Sequence, residues 1–111
     1  MQVNLTGALA AVRAVLPCMR KSREGSILLT GGGFALFPSS DFLTLSIGKA
    51  GIRGMCQALF PDLAKENVHI ASVTVKKVVQ ADEDDPERIA DIFWKLHQQP
   101  RSAWTWEESY E

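Results

Sequence analysis

Two short apolar runs, separated by a long helical stretch, constrain the fold most. Ser26-Ile27-Leu28-Leu29-Thr30 is continuous and apolar, and Val68-His69-Ile70-Ala71-Ser72-Val73-Thr74-Val75 is rich in β-branched residues. Runs of that length with little polar alternation read as strands covered on both faces. Spacing of apolar residues predicts a helix over 2–22 before the first run and another over about 42–65 between the two. Strands joined by helices run parallel through right-handed crossovers. A third helix is expected after Asp85-Pro86, and Ala103–Tyr110 is expected to add an aromatic edge strand. The expected architecture is therefore α/β: a single three-layer domain over 1–111, with about three parallel strands. Two long helices cover one face and one helix covers the other. Ligands of such sheets bind beyond the C-terminal ends of the strands, which points to Gly31-Gly32-Gly33 and to the segment after Val75.

The helices carry their own signals. Leu5, Leu9, Val12, Leu16 and Met19 follow one helix face, and Ala8, Ala11 and Val15 widen it until Arg13 is the only charge between residues 7 and 19. A helix so apolar needs cover on more than one side. Pro17 is expected to kink the first helix and Pro61 to kink or interrupt the last turns of the second, because each removes a hydrogen bond. Gly25 is expected to end the first helix and Asn67 to cap the second. Gly48, Gly51 and Gly54 lie in the second helix, where each costs roughly 1 kcal/mol relative to Ala. Close approach of another backbone or a ligand would account for them. In the third helix Asp85 is the expected cap, Pro86 the first helical residue, and Ile89, Ile92, Phe93 and Leu96 the core stripe.

Composition excludes several classes. With 46% apolar residues and a net charge of -1 the chain is not a disordered polyanion. Beyond Arg20-Lys21-Ser22-Arg23 there is no basic run, so a nucleic-acid partner is not expected. The apolar run at 7–19 is too short to span a bilayer and has no basic residues before it, so no membrane association is expected. Cys18 and Cys56 make neither a disulfide framework nor a zinc site; they suit a reducing, cytoplasmic setting as small buried residues. No metal site is expected, because neither His69 nor His97 has a ligand-spaced partner. The acidic run 82–87 reads as a solvated cap, and Trp94, Trp104 and Trp106 as packing residues.

Five segments resemble, in order and spacing, the C-terminal half of short-chain dehydrogenases/reductases: Val3-Asn4-Leu5-Thr6-Gly7, Leu16-Pro17-Cys18-Met19, Gly25-Ser26-Ile27-Leu28-Leu29, Gly48-Lys49-Ala50-Gly51-Ile52-Arg53-Gly54 and Val68-His69-Ile70-Ala71-Ser72-Val73. The resemblance is clear over residues 2–75. The ending, with Trp94, Leu96-His97, Gln99-Pro100-Arg101 and Ala103-Trp104-Thr105, is similar to the tail of many bacterial members. It implies a partial Rossmann-like fold holding the last three strands of a doubly wound sheet, and hydride transfer with NAD or NADP as cofactor. The glycine-rich phosphate loop would precede the segments seen; no Gly-x-Gly-x-x-Gly follows a strand in this sequence.

Carried over residue by residue, the resemblance matches Lys49 to the family's catalytic lysine, which binds the nicotinamide ribose and lowers the pKa of a tyrosine. Asn4 matches the helix asparagine that holds a water beside that lysine. The tyrosine position holds Leu45 and the serine position Gly32. Leucine has no proton to donate and glycine no hydroxyl to polarise a carbonyl, so the usual acid–base step does not run. Thr30, Ser39, Ser40, Thr44 and Ser46 are the nearby hydroxyls, and Tyr110, the only tyrosine, is remote in sequence. Thr30, Gly31, Gly32 and Lys49 are the candidate cofactor contacts. Three alternatives stay open. Lys49 is a catalytic relic or a surface lysine. Asn4 is functional or a plain helix residue. The triple glycine lines a nicotinamide site or forms a turn with positive φ. Two functions compete: an NAD(P)-dependent oxidoreductase represented by its C-terminal portion and inactive as an isolated chain, or a non-catalytic dimerising remnant. Either implies a homo-oligomer through helices 2–22 and 42–65, because the strand at Ile27–Leu29 is left with a bare edge.

Overall fold

The computed structural model describes residues 2–33, 40–76 and 84–111, with the side chains of 2–4 and 44 excepted. Residues 34–39, Ser39 among them, the side chains of Asn4 and Thr44, and the acidic residues 82–83 lie outside the described residues. Three helices alternate with three strands: α1 (Gln2–Ser22), β1 (Gly25–Gly32), α2 (Leu43–Lys65), β2 (Val68–Val75), α3 (Asp85–Gln98) and β3 (Glu107–Tyr110). Short 3-10 turns at Ser40–Phe42 and Arg101–Ala103 precede α2 and β3. The sheet order is β1-β2-β3 and both pairings are parallel, as the helical connections require. β2 is therefore central, and seven of its eight residues are buried.

Pleat alternation divides the core into two layers. Ile27, Val68 and Ile70 pack with Val12 of α1 and with Cys56 and Leu63 of α2. On the opposite face Ala71 and Val73 pack with Leu96 and Tyr110, and Leu28, Ile89, Ile92 and Phe93 close around them. The expected three-layer arrangement, two helices on one face and one on the other, is what forms. At Gly51 a Cβ would lie 2.7 Å from Leu5 Cδ2, so this glycine is where α1 presses on α2. Gly54 answers to no such contact; the space around it is open.

Several local expectations need correction. The interruption expected as one outcome at Pro61 does not occur: α2 continues through it, as α1 does through Pro17. The left-handed residue after α1 is Arg23 (φ 54), not Gly25, and its counterpart after α2 is Asn67 (φ 61). These two turns are joined, since Asn67 Nδ2 donates to the Arg23 carbonyl at 2.7 Å. Cys18 is exposed, so only Cys56 is the small buried residue expected. Burial pushes the Cys56 thiol up to about 11, against a smaller lowering by the nearby Ser72 hydroxyl. Trp94 is 58% exposed and packs no core. The last strand covers only the second half of the stretch expected to be extended, because Arg101–Ala103 coils into a turn. Asp85 is not the N-cap of α3. That place belongs to Asp84, and Asp85 is buried in the first turn, accepting a hydrogen bond from the Tyr110 hydroxyl.

At the N-terminal ends of the strands, His69 anchors the chain that returns to the sheet. Its imidazole is buried, and its Nε2 lies 2.7 Å from the Thr105 carbonyl. The ring stacks on Trp104 with centroids 4.7 Å apart and planes 7° apart, and Phe60 meets it edge-on. Gln99 completes the corner by accepting from the Thr105 backbone N–H at 3.1 Å. Trp104 Nε1 donates to the Gln99 carbonyl at 3.0 Å.

Candidate functional site

The C-terminal ends of the strands bring together the residues that the sequence singled out. Gly32 lies in register with Val75, and Val75 with Tyr110, so one row crosses the whole sheet at its mouth. Lys49, in the second turn of α2, reaches this row. A Cβ built on Gly32 would lie 3.5 Å from the Lys49 Cγ, Cδ and Cε, so the lysine stem lies alongside the glycine. Lys49 Nζ donates to the Thr30 carbonyl at 3.4 Å, a long hydrogen bond to a neutral acceptor. Thus Lys49, Thr30, Gly31 and Gly32 form one constellation. Asn4 belongs to α1, and its side chain is outside the described residues.

The triple glycine does not form the turn with positive φ that was one of its two readings. Gly31 and Gly32 continue β1, and among the described residues the only glycine with positive φ is Gly25. Steric need is also modest. A Cβ at Gly31 would meet the Val73 carbonyl at 3.4 Å, and one at Gly33 would meet Lys76 Cα at 3.4 Å, both ordinary contacts or close to them.

The hydroxyls available at this mouth are few. Leu45, in the tyrosine position, is half-buried and apolar. Ser46 is buried and Ser40 is exposed in the 3-10 turn. Tyr110 reaches the same row of the sheet but lies in the other layer, among the residues that pack under α3. With its hydroxyl on Asp85 it is no stand-in for the residue that Leu45 replaces. Lys76, next along β2, pairs with Glu111 at 3.0 Å. A cavity of about 330 Å³ lined by Ile92, Lys95, Leu96, Gln99 and Glu108 belongs to the α3 layer, away from Lys49. Among the described residues no cluster of His, Cys, Asp and Glu could hold a metal ion.

One arrangement gave no sign in the sequence. Arg53, one turn after Lys49, forms a two-pronged ion pair with Glu107 of β3, Nε to Oε2 at 2.8 Å and Nη2 to Oε1 at 3.2 Å. Thr74 donates to the same Oε2 at 2.7 Å. The guanidinium lies 5.0 Å over the Trp106 ring. Burial pushes the Glu107 carboxyl up, but the hydrogen bonds from Arg53 and Thr74 and the charges of Arg53 and Lys76 outweigh it. The net effect holds it below its ordinary range. The partners are 54 positions apart, so no local spacing could have joined them.

Comparison with known proteins agrees with this fold. The family described as short chain dehydrogenase matches residues 1–90. A short-chain dehydrogenase from Rhodopseudomonas palustris superposes with a TM-score of 0.76 at 28% identity, over 97% of this chain and 46% of that one. A metagenomic short-chain oxidoreductase in complex with NADP gives a TM-score of 0.83 at 23% identity, over 97% and 48% of the two chains. The mouse (Mus musculus) peroxisomal multifunctional enzyme type 2 is 26% identical over 111 residues, which are 99% of this chain and 15% of that protein. The chain thus spans about half the length of these solved structures and a smaller share of the curated relative.

Proposed function

This chain belongs to the short-chain dehydrogenase family, and on that premise we propose that it is the lysine-bearing half of an NAD(P)-dependent oxidoreductase, inactive by itself. The observation that carries the proposal is the placing of Lys49, with its amine on the Thr30 carbonyl and its stem along Gly32 at the mouth of a parallel sheet. The fold is that of an oxidoreductase family, and one structural relative is an NADP complex. Lys49, Thr30, Gly31 and Gly32 fit the nicotinamide-ribose end of such a cofactor, which when bound would supply or accept the hydride. Nothing among the described residues fits its pyrophosphate, since no strand here runs through a glycine-rich turn directly into a helix. Leu45 and Gly32, in the tyrosine and serine positions, can pass no proton to a carbonyl.

Two titrations followed by amide NMR test this. Reduced nicotinamide riboside, which carries no pyrophosphate, is expected to shift Gly31 and Gly32 weakly, and Lys49→Ala to abolish the effect. NADPH is expected to bind no more tightly than the riboside and to stay unoxidised with carbonyl substrates. Tight NADPH binding with turnover would overturn the inactive reading. Shifts indifferent to Lys49→Ala would remove Lys49 from the site.

A second reading is favoured by one feature of the surface. Leu9 and Val15 of α1 are exposed, as are Phe42, Leu43 and Ile47 at the start of α2. We propose that α1 and α2 form the contact of a homo-oligomer, which serves assembly whether or not the site is competent. Light scattering on eluting protein is expected to give a mass above that of one chain; a monomer at high concentration would end this reading. No helix among the described residues is long and apolar enough to cross a membrane. The two free thiols favour a cytoplasmic setting.

A further inference from the structure

We infer that Arg53 and Glu107 act as a positioning clamp for Lys49: their two-pronged pair between α2 and β3 fixes the helix turn that lays the lysine along Gly32. The inference rests on the reading of Lys49 as the functional amine of the mouth. Lys49 and Arg53 are four residues apart, so they are neighbours on one helix face. Glu107 takes both prongs of the guanidinium and the Thr74 hydroxyl as well. A single carboxylate therefore joins α2, β2 and β3. A planar fork on a carboxylate has a narrow docking direction, unlike an ammonium, which accepts many. Trp106 beneath the guanidinium narrows it further. Both partners are largely shielded, with side-chain exposures of 30% and 18%, so the pair is more than a solvated surface contact.

The rest of α2 is held in ways that leave this turn to the clamp. Leu5 of α1 fits against Gly51 and sets how closely the two helices approach. Its far end is tied separately, by Arg101 Nη2 donating to the Ala64 carbonyl at 2.9 Å. Lys49 contributes little to its own placement. Its described polar contact is one long bond to a neutral carbonyl, on a stem of four methylenes. The direction of the lysine thus follows the rotation of its helix turn, and the fork at Arg53 sets that rotation.

Brief acylation of the full chain with a lysine-selective ester, read by mass spectrometry as the ratio of Lys49 to Lys21 labelling, Lys21 being exposed on α1, tests the clamp. Arg53→Ala is expected to raise the ratio several-fold, and Glu107→Gln by a smaller factor. Arg53→Lys, which keeps the charge and loses the fork, is expected to fall between wild type and Arg53→Ala. Arg101→Ala is expected to lower stability and leave the ratio where it was. An unchanged ratio in both Arg53→Ala and Glu107→Gln would overturn the clamp, as would an equal rise in Arg101→Ala, which would mean general loosening. Should Arg53→Ala not fold, the near-isosteric Glu107→Gln and the conservative Arg53→Lys decide. Cofactor binding plays no part in this readout, so failure of the clamp and failure of the functional reading are told apart.

Discussion

The two ends of the sheet are built differently. At the base, the N-terminal ends of the strands, rings stack and hydrogen bonds tie the connections together: His69 on Trp104, Thr105 on Gln99, Asn67 on Arg23, with the buried His69 Nδ1 left without a partner among the described residues. At the mouth, on the α2 side, the chain offers glycine backbone, an apolar Leu45 and a lysine with one long hydrogen bond. Exposed Phe42, Leu43 and Ile47 lie beside it. Side chains interlock where the chain returns to the sheet, and are sparse where the family places its acid–base groups. Stability should therefore be concentrated at the base, with the mouth tolerant of change.

The strongest way to break that contrast is through the base itself. Leu63 is fully buried against β2 at the far end of α2. Leu63→Ala should cost about 3 kcal/mol by chemical denaturation, the usual loss for a leucine removed from a core that cannot collapse. A cost below 1 kcal/mol would show the base to be loosely packed. Gly25, at the base end of β1, comes next. Its φ of 157 is one that side chains rarely adopt, and a Cβ there would lie 2.7 Å from Met19 Cγ. Gly25→Ala should destabilise by about 1–3 kcal/mol, because Met19 must be displaced and the backbone strained.

Between the two ends stands the Arg53–Glu107 pair. Removing it should cost about 2 kcal/mol at neutral pH, typical of charge-assisted hydrogen bonds out of water. Glu107 titrates below its ordinary value of 4.5 in the folded chain. Its contribution is therefore present above pH 4.5 and lost as pH falls through the folded value. Glu107→Gln should flatten the fall in unfolding midpoint below pH 4.5; an unchanged profile would mean that the carboxylate adds no net stability.

How much of this could be read from residues alone follows from the range of each interaction. The strand runs at 26–30 and 68–75 and the helix at 2–22 were visible because period and length are local signals. Lys49 stood out only because the segment Gly48–Gly54 around it resembles a family motif, which is contiguous in sequence. Arg53–Glu107 and Tyr110–Asp85 were not, since they join residues 54 and 25 positions apart and nothing in either segment announces its partner. Trp94 was misjudged because an aromatic on an amphipathic helix is ordinarily core, whereas here Phe93 and Leu96 already fill that face. At Pro61 the missing hydrogen bond does not end the helix, and α2 runs on to Lys65.

A finer probe of the base is proton uptake. Burial pulls the His69 imidazole below its ordinary 6.5, more than the Thr105 carbonyl raises it, and the neighbouring His97 adds a further lowering. The unfolded chain therefore takes up the proton first. Stability linked to His69 is intact above pH 6.5 and falls as pH drops from there toward the folded value. Unfolding midpoints measured from pH 8 to 5 should show this slope. His69→Gln should remove it, and His97→Gln, which takes away one of the smaller causes of the lowering, should only reduce it. A slope that survives His69→Gln would place the linkage elsewhere and weaken the claim that His69 anchors the returning chain.

The smallest effect is expected at the opposite end of the strand that Gly25 begins. Gly32 is not in the left-handed region, and a Cβ there would touch the Lys49 stem at 3.5 Å, an ordinary contact. Alanine at a compatible glycine restricts the unfolded chain and tends to stabilise by about 0.4–1 kcal/mol. The new methyl also gives Lys49 a surface to lie on. Gly32→Ala should therefore be neutral or slightly stabilising, while Gly25→Ala in the same strand is harmful. The comparison holds only if the two glycines part in that direction. A loss at Gly32 as large as at Gly25 would mean that the mouth is as tightly built as the base. The absence of a side chain there would then be a steric requirement, and Gly32 could not have borne a serine in this fold without rearrangement.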